Sequence, residues 1–383
     1  MRILLYTCTA LPKLGGQEAV VDALARQFQA LGHEPMVLAP RPRVSHRESD
    51  RQLPYPVLRH PRFVSTRRFV SLYRHWLIRA QGRYRFDVIH CHDVYPTGYV
   101  AALCKRRLAV PLVITSHGGD VREGNVRISK PGVRQRHVIA TKAADALIAI
   151  GRFTEEGFRR LYPDAPRIEH IPNGIDLAPY QTPAVRPVGL DPSIHEGDYA
   201  LFLGRLKRRK GVDVLLRAMG QMPSGRGVQL VIAGAGEEQA AVEAQVRDLR
   251  LDDRVRLVGR VEGQDKRYLL QNALCVVMPS REWEAFPLVL LEAYTAGRPV
   301  VGTAIPGIVD LVQDGTTGLL VPEEDAEALA HALGRLFADP ARGRDMGIAA
   351  RVVAQRYSWD AIARRHLDLY EQLTRPTPAT APA

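Results

Sequence analysis

Met278–Thr303 reads MPSREWEAFPLVLLEAYTAGRPVVGT, and its punctuation sets the fold class. The preceding run Ala273–Met278, ALCVVM, is short, apolar and β-branched, the pattern of a buried parallel strand. Pro279 and Ser280 end it. After the loop REWEAF, the segment PLVLLEAYTAG carries proline where a first helical position falls and Gly297 where a helix stops. The first N–H groups of that helix, those of Leu288 and Val289, have no partner inside it and favour an anion such as phosphate.

Two carboxylates bracket this helix start, Glu284 in the loop and Glu292 inside the helix. Beside a phosphate site, carboxylates repel the ligand's charge, so hydroxyls of a sugar or a ribose are their natural partners. An isolated pair is equally consistent with two solvated acids favoured by the helix dipole.

The pair has company. Glu284-Ala-Phe-Pro-Leu-Val-Leu-Leu-Glu292, followed by AGRPVVGT and DGTTGLLVP, resembles the E-x7-E motif region of retaining GT-B glycosyltransferases of the family 4 type. With the matches below, the resemblance runs from Met1 to about Leu373. It implies an α/β protein of GT-B fold, two Rossmann-like domains facing each other across a cleft.

Composition agrees with two domains. The chain has 383 residues, 46% of them hydrophobic, enough for two cores of about 180 residues each. Cys8, Cys91, Cys104 and Cys275 are scattered without a C-x-x-C pair, which fits a reducing compartment and neither a zinc ribbon nor a disulfide scaffold. MRILLYTCTALP reads as a first strand rather than a signal peptide, and no run approaches the roughly 18 apolar residues of a membrane helix. The expected location is cytoplasmic, with docking at the inner face of the membrane left open.

Charge is uneven. Residues 1–180 hold 28 Lys and Arg against 15 Asp and Glu, so essentially all of the net +12 lies there. Arg51–Phe86 contains nine arginines, among them Arg67 and Arg68, no acid, and interleaved aromatics including Trp76. Such a stretch suits an anionic membrane or a phosphorylated or lipid-linked acceptor, and no nucleic-acid module accompanies it. A generally basic proteome would also produce it.

Along the chain, Arg2–Thr7 is the first strand, LPKLGG a glycine-closed loop, and Gln17–Leu31 a helix by its apolar spacing. In the family the corresponding Gly-Gly loop reaches towards the donor phosphate, a role the resemblance carries to Gly15 and Gly16. Further strands are expected at Glu34–Ala39, Phe86–His90 and Leu112–Thr115, and a metal reading of His90-Cys91-His92-Asp93 is disfavoured because adjacent residues point in different directions and no further ligand cluster is evident. Ser116-His117-Gly118-Gly119-Asp120 follows a strand's carboxyl end, where open α/β sheets bind ligands. The family's similar segment has a histidine that contacts the transferred sugar, which implies that role for His117 and an acceptor-side role for Asp120. IPNGID, ending at Asp176, is also family-like.

The expected domains are 1–177 on the acceptor side and 178–359 for the nucleotide sugar. A helix at 360–374 is expected to cross back to the first domain, before a disordered tail at 375–383. The second domain repeats the scheme, with strand Tyr199–Leu203, loop Gly204–Gly211 and helix Val212–Met219. Arg205 and Lys210, five apart in a glycine-bounded loop, can converge on a diphosphate, and they match the family's GR and KG positions. Arg260 and Val261, after a strand at Val255–Val258, take the family's nucleobase position, and Phe286 joins Leu288, Val289 and Glu292 among the donor-binding residues.

The resemblance implies transfer of a sugar with retention from a nucleoside diphosphate sugar, UDP-linked first, to an acceptor hydroxyl of a sugar, lipid-linked glycan, glycolipid or polysaccharide. His117, Arg205, Lys210 and Glu284 form the implied catalytic set. No cofactor is expected, and the lack of a D-x-D triplet argues against an essential metal ion. Pro287 stands where many relatives have glycine, and Ala285 replaces another. A nucleotide-sugar epimerase, a phosphorylase, a noncatalytic sugar-nucleotide binder and a membrane or nucleic-acid adaptor remain the alternatives.

Overall fold

The computed structural model describes residues 1–13, 15–62, 66–122, 124–223 and 229–375, without the side chains of Thr66, Arg67, Arg127 and Gln229. The expected disordered tail therefore lies, but for Arg375, outside the described residues. The chain forms two compact units, Met1–Gly174 with Trp359–Ala383, and Ile175–Ser358.

The first unit is built on seven parallel strands: β1 Arg2–Thr7, β2 Glu34–Pro40, β3 Val57–His60, β4 Val88–His92, β5 Leu112–Ser116, β6 Ala146–Ala149 and β7 Ile168–His170. Their order is β3-β2-β1-β4-β5-β6-β7, and every pairing is parallel. Strand alternation divides the core into two layers. Leu4 and Tyr6 pack on one face with Leu38, Leu77 and Ile89, while Ile3 and Leu5 pack on the other with Val20, Leu24 and Phe28.

The helix Gly16–Ala30 covers the second face through Val20, Val21, Leu24, Ala25 and Phe28. The terminal helix Trp359–Thr374 joins it, burying Ile362, Ala363, His366, Leu367 and Tyr370, with Tyr370 edge-on to Phe28 at 5.8 Å between ring centroids. Truncating a buried aromatic such as Phe28 costs about 3–5 kcal/mol over all its core contacts, the one to the last helix among them.

The second unit has six parallel strands: β8 Tyr199–Leu203, β9 Gln229–Ala233, β10 Val255–Gly259, β11 Cys275–Met278, β12 Val300–Thr303 and β13 Gly318–Val321. Their order is β10-β9-β8-β11-β12-β13. In each sheet the strand order thus reverses once, between β1 and β4 and between β8 and β11. Crevices at the carboxyl ends of strands flanking such a reversal are where open parallel sheets take ligands.

Local differences from the sequence reading have identifiable causes. β4 is Val88–His92 rather than Phe86–His90, because His90 and His92 are fully buried polar strand residues with internal partners. The arginine-rich stretch contains the helix Thr66–Tyr84. Pro287 is the residue before the helix Leu288–Thr295, not its first turn. All four cysteines are free, and only Cys8 is exposed.

Candidate functional site

In the second unit the carboxyl end of β8 runs into Gly204–Gly211, closed by a 3-10 turn at Arg208–Lys210 before the helix Val212–Gln221. Gly211 has φ +66, and a Cβ there would lie 1.9 Å from the Pro279 carbonyl oxygen. Only glycine lets this loop approach the end of β11 so closely. Arg281 then ties the two loops, its backbone N–H donating to the Arg209 carbonyl at 2.9 Å and its guanidinium to Asp213 at 2.5 Å.

This approach delivers Lys210 to Glu284. Lys210 Nζ donates to Glu284 Oε1 at 2.6 Å, Ser280 Oγ donates to the same oxygen at 2.8 Å, and Arg209 Nη1 lies 3.6 Å away. Glu284 is 7% exposed, so it is not a solvated loop acid. Its backbone N–H donates to the Pro306 carbonyl at 2.9 Å, and Gly307, at φ +92, lies so close to the Glu284 carbonyl that a Cβ would stand 1.9 Å from it. Burial lowers the Lys210 pKa, and the Glu284 charge offsets part of that shift. Arg205 is exposed, and its charge also acts on Lys210.

Glu292 lies on the helix Leu288–Thr295 and accepts from Lys266 Nζ at 2.6 Å, with the Glu292 side chain 15% exposed. Both acids that bracket the helix start are thus mostly covered and engaged by a lysine. Leu288 and Val289 open that helix, so their N–H groups have no carbonyl four residues back within it. Val261, Phe286 and Val289 are half-buried against the apolar layer containing Leu290 and Tyr294. Arg260 is exposed at the end of β10 and pairs with Glu262.

In the first unit, Gly15 and Gly16 precede and open the helix Gly16–Ala30. A Cβ on Gly15 would lie 2.5 Å from Glu18 Oε2, so this glycine makes room for a buried carboxylate. Thr9 Oγ1 donates to Glu18 at 2.5 Å and Lys13 lies 3.0 Å from it. Burial raises the Glu18 pKa, but the Thr9 and Lys13 bonds outweigh it and the net shift is downward.

His117 follows β5. Its Nε2 lies 3.2 Å from His92 Nδ1 at the end of β4. Burial holds His117 down at about 4, so the ring is neutral at pH 7. Asp120 Oδ2 accepts the Val94 N–H at 2.9 Å, and Asp93 accepts from Gln17 Nε2 at 3.0 Å. Burial raises both carboxyl pKa values, and the Asp93 charge raises that of Asp120 further.

His117, Asp120, Glu18 and Asp93 thus collect at the carboxyl ends of β1, β4 and β5. Arg68 is exposed and Trp76 half-buried on the helix Thr66–Tyr84, whereas the side chain of Arg67 lies outside the described ones. Lys266, Arg209, Ser280, Glu18 and His92 are components the sequence reading did not assign. Among the described residues, no group of three His, Cys, Asp or Glu side chains is gathered for a metal, and no helix is long and apolar enough to cross a membrane.

Comparison with known proteins then decides the family. Residues 192–353 match the model described as Glycosyl transferases group 1, and residues 14–179 match Glycosyltransferase Family 4. A D-inositol 3-phosphate glycosyltransferase from Xylanimonas cellulosilytica is 34% identical over 324 residues, covering 79% of this chain and 75% of that protein. The chain belongs to the group 1 glycosyltransferases.

The solved relatives of this glycosyltransferase share its GT-B fold. A sucrose-phosphate synthase from Thermosynechococcus elongatus is similar with a TM-score of 0.77 at 26% identity, covering 97% of this chain and 98% of that one. Anabaena HepE in complex with UDP gives 0.80 at 20% identity, covering 97% and 100%.

Proposed function

We propose that this glycosyltransferase uses a nucleoside diphosphate sugar, UDP-linked first, and transfers the sugar with retention to an acceptor hydroxyl in lipid-linked glycan, glycolipid or polysaccharide synthesis. The observation that carries the reading is the Lys210–Glu284 contact at 2.6 Å, with Arg209 and Arg205 around it and the helix start at Leu288 following it in the chain. Cations and free N–H groups suit a diphosphate, and the two carboxylates suit hydroxyls. The UDP bound to Anabaena HepE supports UDP as the first nucleotide to test.

In this reading Arg205, Lys210 and the N–H groups of Leu288 and Val289 stabilise the charge that develops on the departing diphosphate. Glu284 holds sugar hydroxyls, Glu292 the ribose, and Arg260 and Val261 the base, while Gly15, Gly16 and His117 keep the donor-contacting role that the family resemblance gives them. The bond from the anomeric carbon to the phosphate oxygen breaks, the acceptor oxygen bonds to the same face, and the acceptor proton passes to the leaving phosphate. No essential metal ion enters this scheme.

Glu18, which accepts from the Thr9 hydroxyl and is held low, repels phosphate, and Asp93 and Asp120, both raised by burial, add polar carboxyl groups beside it, which favours an uncharged polyol face for any acceptor group seated among them. This contrasts with the D-inositol 3-phosphate in the name of the Xylanimonas relative. On the helix Thr66–Tyr84, Arg68, Leu72, His75 and Arg79 are exposed at helical spacing, which supports docking on an anionic membrane surface.

The test is turnover of UDP-, GDP- and ADP-glucose with uncharged glycolipid acceptors and with inositol 3-phosphate, scoring the anomeric configuration of the product by NMR. A retained linkage on an uncharged acceptor is expected. An inverted linkage, or transfer to inositol 3-phosphate alone, refutes the corresponding part of the reading.

A further inference from the structure

His92 sits on β4 with its side chain fully buried, and its two ring nitrogens are unequal. Nδ1 meets His117 Nε2 at 3.2 Å, whereas Nε2 is sealed from solvent with no hydrogen-bond partner. The His92 and His117 ring planes differ by only 18° and their centroids are 5.4 Å apart, close to the greatest separation that the 3.2 Å N···N distance plus the two ring radii allows. The rings therefore meet edge to edge, in line for one N–H···N bond.

The plane of His92 is itself held. His90, two residues earlier on the same face, lies against it at 4.3 Å between centroids. Both nitrogens of His90 are engaged, Nε2 with Thr115 Oγ1 at 2.6 Å and Nδ1 with the Tyr370 hydroxyl at 2.6 Å. Tyr370 belongs to the terminal helix, so a series of hydrogen bonds and ring contacts runs from that helix along one face of the sheet to His117.

Two neutral imidazoles can share one such proton in two ways. If His117 donates from Nε2, the His92 proton must sit on its own Nε2, as a buried donor without an acceptor. If His92 donates from Nδ1, its Nε2 is only an unused lone pair, the less costly defect. The second arrangement also moves the His117 proton to Nδ1, since the bond made by one ring nitrogen decides the state of the other.

We propose that His92 is a positioning residue that donates Nδ1–H to His117 Nε2 and so holds His117 in the tautomer whose Nδ1–H is offered to a ligand oxygen. The offer to substrate rests on the reading of His117 as a donor-sugar contact; the tautomer does not. His117 therefore gives a hydrogen bond to a ligand oxygen rather than accepting one from a hydroxyl.

The test uses the full chain labelled with 15N-histidine, with long-range 1H–15N spectra at pH 7 and His117 identified by difference from His117→Asn. Wild type is expected to show His117 protonated on Nδ1. His92→Phe, which keeps the ring and removes the donor, should switch His117 to the Nε2–H form that free histidine favours. His92→Asn, whose amide N–H can replace Nδ1–H, should restore the Nδ1 form.

Nε2–H in wild type, or no switch in folded His92→Phe, overturns the proposal. If His92→Phe does not fold, wild type and His92→Asn decide it, both being expected in the Nδ1 form and either one in the Nε2 form overturning it. Failure of every nucleotide sugar to bind would sink the donor reading and leave the tautomer result standing.

Discussion

Replacing Lys210 with alanine removes the ammonium 2.6 Å from Glu284 Oε1 and leaves that carboxylate mostly buried. Losing one member of a buried pair costs about 3–5 kcal/mol, because the other charge is stranded. Here Ser280 still donates at 2.8 Å and Arg209 remains 3.6 Å away. The expected loss therefore falls at or just below the bottom of that range, about 2–3 kcal/mol. At about 2–4 °C per kcal/mol for a unit of this size, the melting temperature should fall by about 4–12 °C.

Neutralising the acid as well, in Lys210→Ala with Glu284→Gln, should recover most of that loss, since the glutamine keeps the shape and removes the stranded charge. A double-mutant cycle by denaturant unfolding reads the coupling directly. If the double variant is no more stable than Lys210→Ala alone, Glu284 is not stabilised through Lys210 and the account of this loop is wrong. Glu284→Gln alone should lower the Lys210 pKa further. Its UDP affinity should then begin to decline at a lower pH than that of wild type, as calorimetry would show.

Two other outcomes are expected. The first unit contains His90, His92, His117, His137 and His366, all held neutral by burial, the last three at about 4. A histidine whose folded pKa is depressed contributes stability that is lost as pH falls from about 6.5 through the folded value. Hydrogen exchange should therefore show the first unit opening between pH 6.5 and 4 before the second; simultaneous opening would contradict this. On the helix Thr66–Tyr84, Arg68→Glu with Arg79→Glu should abolish sedimentation with vesicles containing 30 mol% phosphatidylglycerol. Because the attraction is screened by salt, wild-type binding should also fall steeply between roughly 0.05 and 0.5 M salt. Binding that ignores both changes would rule out electrostatic docking by this helix.

What the sequence disclosed and withheld follows from the range of the interactions. Apolar runs such as YALFL and CVVM, each punctuated by glycine or proline, mark both sheets, because a parallel strand buried on two faces has little other composition available. The Glu284–Glu292 spacing and the Gly204–Gly211 loop are local, and so were readable. The partners that give them their state are not. Lys266 lies 26 positions from Glu292 and Lys210 lies 74 from Glu284, joined only by strand order.

The helix Thr66–Tyr84 was hidden by its charge. Its five arginines are interleaved with apolar residues that fall on more than one face, so composition masked the period carried by Tyr73, Leu77 and Ala80. His90 and His92 misplaced the end of β4 because a buried histidine looks like a strand terminus until its partners on β5 and the last helix are known.

The central claim, that the second unit binds a nucleoside diphosphate sugar through Lys210 and Glu292, is tested most directly by thermal stabilisation. Wild type, Lys210→Ala and Glu292→Ala would each be melted with UDP, GDP and ADP sugars in excess. A ligand that binds only the folded state at a hundred times its Kd adds about 2.7 kcal/mol to stability. One nucleotide series, UDP first, should raise the wild-type melting temperature by several degrees and leave both variants unmoved. Stabilisation that survives in both variants would place the nucleotide elsewhere and contradict the account.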